Sequence, residues 1–508
     1  MDKVSDNNCR YDIIIVGAGN GGLSAASFAV QKGFRTIVFE KHNLPGGAVT
    51  SFRRGRFEFE PSIHEICGIG SEEKPGETRR LFKEMKSDAH FVYEPSLYRA
   101  ICVSPREQFD VKLPAGIDEL CKKIEEIDSG SGEKVKKFFE YSSQCMQTIN
   151  KLTKEGFKWK DRGEVLNCFR MFAFSSDIVM DLMRIPKKIQ HMITPYWTYV
   201  GEPTSTLNAF MMGMMDSSYA RDGAGVPTMF SHELSCSLDK VIRENGGTIY
   251  YNTPVTKILV KNKKAYGVEA GGKTYYADRI ICNCFPNDVF GHLVERKRAP
   301  KREIRKINAR RLGLSFVNVH LGLNKSAEEL GVKDYTTFIL KEADSLSQWK
   351  KSHGLGGDGL IIANNLNVII PGCSPEGTSH MSLTACVFGS DWARIRPEDY
   401  KKTKLKVADR MISSYEEATG IKIRPYIEEI EVATPVTYSR YLGTPNGTPY
   451  GYQTSNWDGI VTRTIFKKKE KTIKGLYFAG ATTETSLGVN MTYLSGKNVM
   501  EEILHEEA

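Results

Sequence analysis

The chain has 508 residues, 40% of them hydrophobic, and a formal net charge of +9. That length buries more than one domain's core without covalent staples, and the eleven scattered cysteines form no C-x-x-C pair or His/Cys metal spacing. No run approaches the roughly 18 uninterrupted apolar residues of a spanning helix, the polar start Met1 to Asn8 lacks the apolar segment of a signal peptide, and no reading motif accompanies the positive charge, so the expectation is a cytoplasmic protein with reduced thiols and no nucleic-acid partner.

The first element is the apolar run Tyr11-Asp-Ile-Ile-Ile-Val16, a buried strand leading into Gly17-Ala-Gly19-Asn-Gly-Gly22 and the helical Leu23 to Val30. This strand, glycine turn and helix form the context in which G-x-G-x-x-G binds a dinucleotide. Gly17 permits the tight turn, Gly19 lets backbone approach a pyrophosphate, and Gly22 lets the helix pack on the strand. The helix N-terminus presents free N–H groups and a positive dipole end to the phosphates. A second strand, Thr36-Ile-Val-Phe39, ends in Glu40, where a carboxylate accepts from both ribose hydroxyls and favours a cofactor with a free 2′-hydroxyl over NADP. Paired glycines follow at Gly46-Gly47, where the chain is expected to run back along the cofactor with little side chain in the way.

Residues 75–215 read as mixed and helix-rich, with apolar or Met-rich stretches at Phe169 to Phe174, Ile178 to Met183 and Phe210 to Met215. Such stripes are expected to be plain core, with an adaptable ligand wall as the sharper reading. A second ordered block runs from Gly223 through the helical Ser231 to Asn245 and into strands around Val255 to Val260, Ala265 to Glu269 and Tyr275 to Asn283. Basic residues cluster at Arg296 to Arg311 and at Lys467 to Lys471, read as solvated faces or as contacts to an anionic membrane surface. The last block is the strand Gly475-Leu-Tyr-Phe-Ala-Gly480, then Gly488-Val-Asn-Met491 opening a helix to about Leu504. The fold class is therefore α/β: a Rossmann-like cofactor domain at 1–75, 215–295 and 455–508, interleaved with an α+β substrate domain at 76–214 and 296–454.

With these blocks in place the chain resembles the phytoene desaturase, carotenoid isomerase and retinol saturase group within the amine-oxidase-like flavoproteins. The resemblance assigns Gly17, Ala18, Gly19, Asn20, Gly22, Glu40 and Lys41 to a first FAD fingerprint, and Gly46, Gly47, Ala48, Val49 and Ser62 to the segment running back along it. It places the Val255 backbone at the adenine, and Gly480, Gly488, Val489, Asn490 and Met491 at the flavin. Phe57 to His64 and Thr434 to Gly451 resemble the saturase branch. Ser62 replaces a usual glycine, Ala48 an arginine common in amine oxidases, and Asn490-Met491 a pair that usually includes glycine or proline.

The resemblance implies hydride transfer between the flavin and an alkene carbon of a lipophilic substrate, by saturation or desaturation. His64 and Tyr450 are the side chains it sets beside the ring as acid or orienting group, with Tyr493 and Glu65 behind them. Neither Gly223-Ala-Gly225 nor Gly354 to Gly359 sits in a second full fingerprint. Electrons would then come from NAD(P)H entering the substrate side or from a separate carrier, unless the cycle is a redox-neutral double-bond isomerisation. Amine or porphyrinogen oxidation and non-catalytic lipid carriage are the other readings.

Overall fold

Five short strands, β1 (Ile13–Val16), β2 (Thr36–Phe39), β3 (Thr248–Tyr250), β4 (Arg279–Cys282) and β5 (Leu476–Phe478), lie parallel in the order β3-β2-β1-β4-β5. This computed structural model describes residues 9–62, 64–155, 158–454, 458, 463, 471–483 and 488–507. Every residue of β1 and β2 is buried because both faces of the sheet are covered. Ile13 and Ile15 pack with helices α1 (Asn20–Gln31), α2 (His232–Glu244) and α3 (Gly488–Glu507). Ile14 and Val16 point the other way, onto an antiparallel meander of Val255–Lys261, Lys264–Ala270 and Lys273–Tyr276. Where α3 crosses α1, a Cβ on Gly496 would stand 2.5 Å from the Gly21 carbonyl, so only glycine allows that approach.

The second lobe is built on a seven-stranded sheet ordered Ile427–Ala433, Ser315–Leu323, Ser379–Val387, Leu360–Asn364, Thr336–Leu340, Ser96–Ser104, Glu107–Pro114. All its neighbours are antiparallel except Thr336–Leu340 beside Ser96–Ser104. One face packs on the helices of residues 117–222 and the other on Pro397–Thr419. The α/β class with an interleaved α+β lobe is thus observed.

Packing sets different lobe limits from those read off the chain. Leu81, Phe82, Met85 and Phe91 belong to the nucleotide lobe's core, so the chain leaves that lobe near Pro95 and not at 75. Helix Ala209–Asp222 packs its buried apolar side chains in the second lobe's core, moving the return from 215 to about Gly223. Gly354 to Gly359 connects helix Ser345–Lys351 to a strand of the mixed sheet, so among the described residues one parallel nucleotide sheet is present. The polar start Met1 to Asn8, Ile63, the run Lys467 to Lys469 and Leu487 lie outside the described residues.

Candidate active site

A cleft of about 350 Å³ opens at the C-terminal ends of β1, β2, β4 and β5, where the order of strands reverses direction about β1. Gly17 sits at φ +98°, a conformation L side chains avoid, and a Cβ on Gly22 would lie 2.1 Å from the Gly17 carbonyl. Gly19 caps α1 without any side-chain bond, so the first N–H groups of the helix end at the cleft. Glu40, 6% exposed, is fixed by two backbone donors: Ala18 N–H to Oε2 at 2.7 Å and His42 N–H to Oε1 at 2.9 Å. Gly46 N–H donates to the Ala18 carbonyl at 2.8 Å, laying Gly46 and Gly47 beside the first turn.

The expected residues separate into two groups. Gly17, Gly19, Asn20, Glu40, Lys41, Gly46, Gly47, Ala48, Val255 and Gly480 line the cleft. Ala18 and Val49 do not: both side chains are in the core, the Ala18 N–H and C=O are taken by Glu40 and Gly46, and those of Val49 by Gly46 and Ser235. Gly22 is likewise buried, acting through clearance. Ser62 serves from behind, donating to the Ala48 carbonyl at 2.6 Å.

Sequence reasoning missed Asn283, at the end of β4. Its side-chain amide, oriented with Oδ1 accepting from Gly19 N–H (3.1 Å) and Nδ2 donating to the Ala479 carbonyl (3.3 Å), ties the glycine turn to β5. Its place at a strand's carboxyl end in a parallel sheet was the signal available. Also missed were His42 and Tyr441, whose rings stack at 5.9 Å and close one end of the cleft, and Thr492, which accepts from Asn20 Nδ2 at 3.0 Å.

At the start of α3 the two lobes meet. Asn490 Nδ2 donates to Cys67 Sγ at 3.3 Å, which brings the segment from His64 to Cys67 against the helix N-terminus. Gly488 adopts φ +82° at the helix start, and Val489 packs on the nucleotide-lobe core. Gly480 N–H donates to Ser495 Oγ at 2.7 Å, joining β5 to the same helix. Met491 is half-buried.

His64 Nε2 pairs with Thr384 Oγ1 at 2.8 Å, and burial pulls its pKa down to about 4. Tyr450 donates to the Thr198 carbonyl at 2.8 Å, and burial raises its pKa well above 10. Glu65 is 7% exposed and accepts from the Tyr199 hydroxyl at 3.2 Å. Burial, with Glu94 nearby, pushes its pKa up to about 8. At neutral pH the imidazole is therefore unprotonated and the carboxyl is the group that holds a proton. That reverses the expected order: His64 has no acidic proton to give as an imidazolium, and Glu65 has. Tyr493 is fully buried against Phe82 in the nucleotide-lobe core.

The chain matches the family model described as flavin containing amine oxidoreductase over residues 21–504. It belongs to that family, and it is an FAD-dependent oxidoreductase. It is similar to a chloroplastic prolycopene isomerase of Daucus carota, 25% identical over 89% of this chain and 75% of that protein. It is also similar to an all-trans-retinol 13,14-reductase of Danio rerio, 23% identical over 92% of this chain and 82% of that protein. Among solved structures, an oxidoreductase from Methanosarcina mazei superposes with a TM-score of 0.63 at 16% identity, covering 96% of this chain and all of that one. The cleft fits FAD on its own geometry, with an uncapped helix end, a side-chain-free turn and a carboxylate held at the end of β2.

Proposed function

We propose that this protein acts on carbon–carbon double bonds of a lipophilic, polyene-like substrate, by saturation or desaturation. The observation that carries the reading is that burial holds His64, Glu65 and the surrounding tyrosines beside α3 in their uncharged forms. With His64 near 4, Glu65 near 8 and the tyrosines raised, none of these groups is charged at pH 7, an environment that suits an apolar hydrocarbon and penalises a cationic amine.

In this reading Gly17, Gly19 and the first turn of α1 hold the pyrophosphate, Glu40 the ribose, Val255 the adenine, and Gly488 to Met491 the flavin edge. FAD supplies the two-electron chemistry when bound. The chain's own residues do the rest. The α1 and α3 N-termini meet negative charge with backbone N–H groups. Glu65 holds the proton that a saturated carbon requires, or takes it up in the reverse direction. The Tyr199 hydroxyl orients the Glu65 carboxyl, while His64 and Tyr450, each tied to the second lobe, shape the wall and exclude water. Asn490 and Ala48 stand where other members of the family carry different residues and set what approaches the ring.

The test is incubation of the FAD-loaded protein with retinoids, carotenoids and unsaturated fatty acids, after anaerobic titration with NADH and NADPH. A shortened or lengthened conjugated system, with electrons accounted for, supports the reading. Peroxide from amines with every unsaturated lipid unchanged refutes it. The likeness to a prolycopene isomerase favours a second reading, a redox-neutral isomerase: altered double-bond geometry with no net electron uptake would select it.

A further inference from the structure

We infer that helices Arg162–Ala173 and Ser176–Leu182 form a docking surface for an anionic lipid bilayer. The stretches Phe169 to Phe174 and Ile178 to Met183 were expected as core or ligand wall, and the fold turns half of them outward. Leu166 is 49% exposed, Phe169 64%, Phe174 40%, Ile178 47% and Leu182 72%. These five are a third of the fifteen large apolar side chains exposed among the described residues, gathered within seventeen positions. The inward faces of the same helices are already filled, by Cys168 and Met171 on the first and Val179 and Met180 on the second. The outward side chains therefore have no core left to join, and exposed large apolar residues grouped this closely along two consecutive helices mark a contact surface.

The charge around the patch selects the occupant. Between residues 158 and 188 there are seven basic and four acidic side chains. Two of the acids are already paired, Asp161 with Lys151, from outside that span, at 2.8 Å and Asp181 with Lys187, one of the seven, at 2.7 Å, which leaves six basic and two acidic side chains. Lys160, Arg170, Arg184 and Lys188 are exposed on the same stretch of chain as the apolar residues. Exposed aromatic and leucine side chains interspersed with exposed cations match the boundary between acyl chains and anionic headgroups. A second copy of this chain fits less well, since a two-fold contact would set two cationic surfaces against each other.

The basic stretch 296–311, the other candidate for membrane contact, lacks the apolar partner. Among the described residues no large apolar side chain is exposed there, and Arg310 is buried against Asp458 at 2.7 Å. It reads as a solvated face.

The inference stands on the surface itself and deepens the reading of a lipophilic substrate. The test is co-sedimentation of the full FAD-loaded chain with vesicles of phosphatidylcholine alone and of phosphatidylcholine with phosphatidylglycerol at 7:3. Wild type pellets with the anionic vesicles. Phe169→Ser with Leu182→Ser, and separately Arg170→Glu with Lys188→Glu, weaken binding at least tenfold, given about fivefold per basic residue near such a surface. Arg298→Glu with Arg302→Glu leaves it within about twofold, and an unchanged flavin absorption spectrum shows that each variant is folded. Three results overturn the inference: no preference for anionic vesicles, patch variants that bind like wild type, or a wild-type dimer that the patch variants split into monomers. Patch-dependent vesicle binding by a protein that turns over no unsaturated lipid would defeat the substrate reading alone.

Discussion

Replacing Glu65 by glutamine keeps the shape of the side chain and removes its titration. In the folded protein the carboxyl is enclosed, with one oxygen accepting from Tyr199 and Glu94 as its charged neighbour, and its pKa stands at about 8 against an ordinary 4.5. Between those values the folded state keeps a proton that the unfolded chain has released. The unfolding free energy therefore falls as pH rises, by about 1.4 kcal/mol per pH step. From pH 5.5 to 7.5 this amounts to roughly 3 kcal/mol, and above pH 8 the loss is complete. The amide of the Glu65→Gln variant carries no such term, so the other titrating groups cancel in the comparison. Urea unfolding of both proteins at pH 5.5, 6.5 and 7.5 measures the difference directly. A wild-type advantage that shrinks by about 3 kcal/mol across that range is expected; a difference flat to within about 1 kcal/mol would refute the protonated carboxyl. In turnover the same variant is expected to lose most activity while retaining flavin, with wild-type rates declining above pH 8.

Glu40→Ala strips the Ala18 and His42 N–H groups of their acceptor and removes the ribose contact. It should weaken FAD binding about a hundredfold, equivalent to roughly 3 kcal/mol, as read from flavin retained on ultrafiltration. Gly22→Ala forces a Cβ to 2.1 Å from the Gly17 carbonyl, so the turn must open; a flavin-poor protein less stable by about 2 kcal/mol is expected. Arg310→Met leaves Asp458 with Arg463 at 3.0 Å as a remaining partner and costs about 3 kcal/mol in urea unfolding. His380 is buried, with its pKa pulled down to about 4, so its stability contribution is lost as pH falls from about 6.5 to 4. His380→Gln should accordingly shift acid unfolding to lower pH, which tryptophan fluorescence would follow.

The nucleotide half of the site was legible because its constraints are local. A four-residue apolar strand, a turn with one positive-φ glycine, a helix that needs clearance at Gly22 and a carboxylate at the next strand end all act within about thirty residues. Asn283 was harder to see because its role exists only once β4 pairs with β1 and β5 lies beside it. Ala18 and Val49 carried the right spacing and the wrong orientation: the chain that returns through Gly46 closes over them.

The substrate half was poorly legible for the same physical reason in reverse. Apolar stripes at 166–182 have helical spacing whether they face a core or solvent, and only the filling of that core by Cys168, Met171, Val179 and Met180 turns the remaining side chains outward. The amino-acid sequence by itself determined the strand, turn and helix of the nucleotide site and the acid that follows them, because glycine geometry and side-chain period need no distant partner. Only the tertiary structure decided which groups carry a proton. Glu65 and His64 owe their shifted pKa values to burial among segments more than a hundred residues away, and desolvation is a property of the assembled interior.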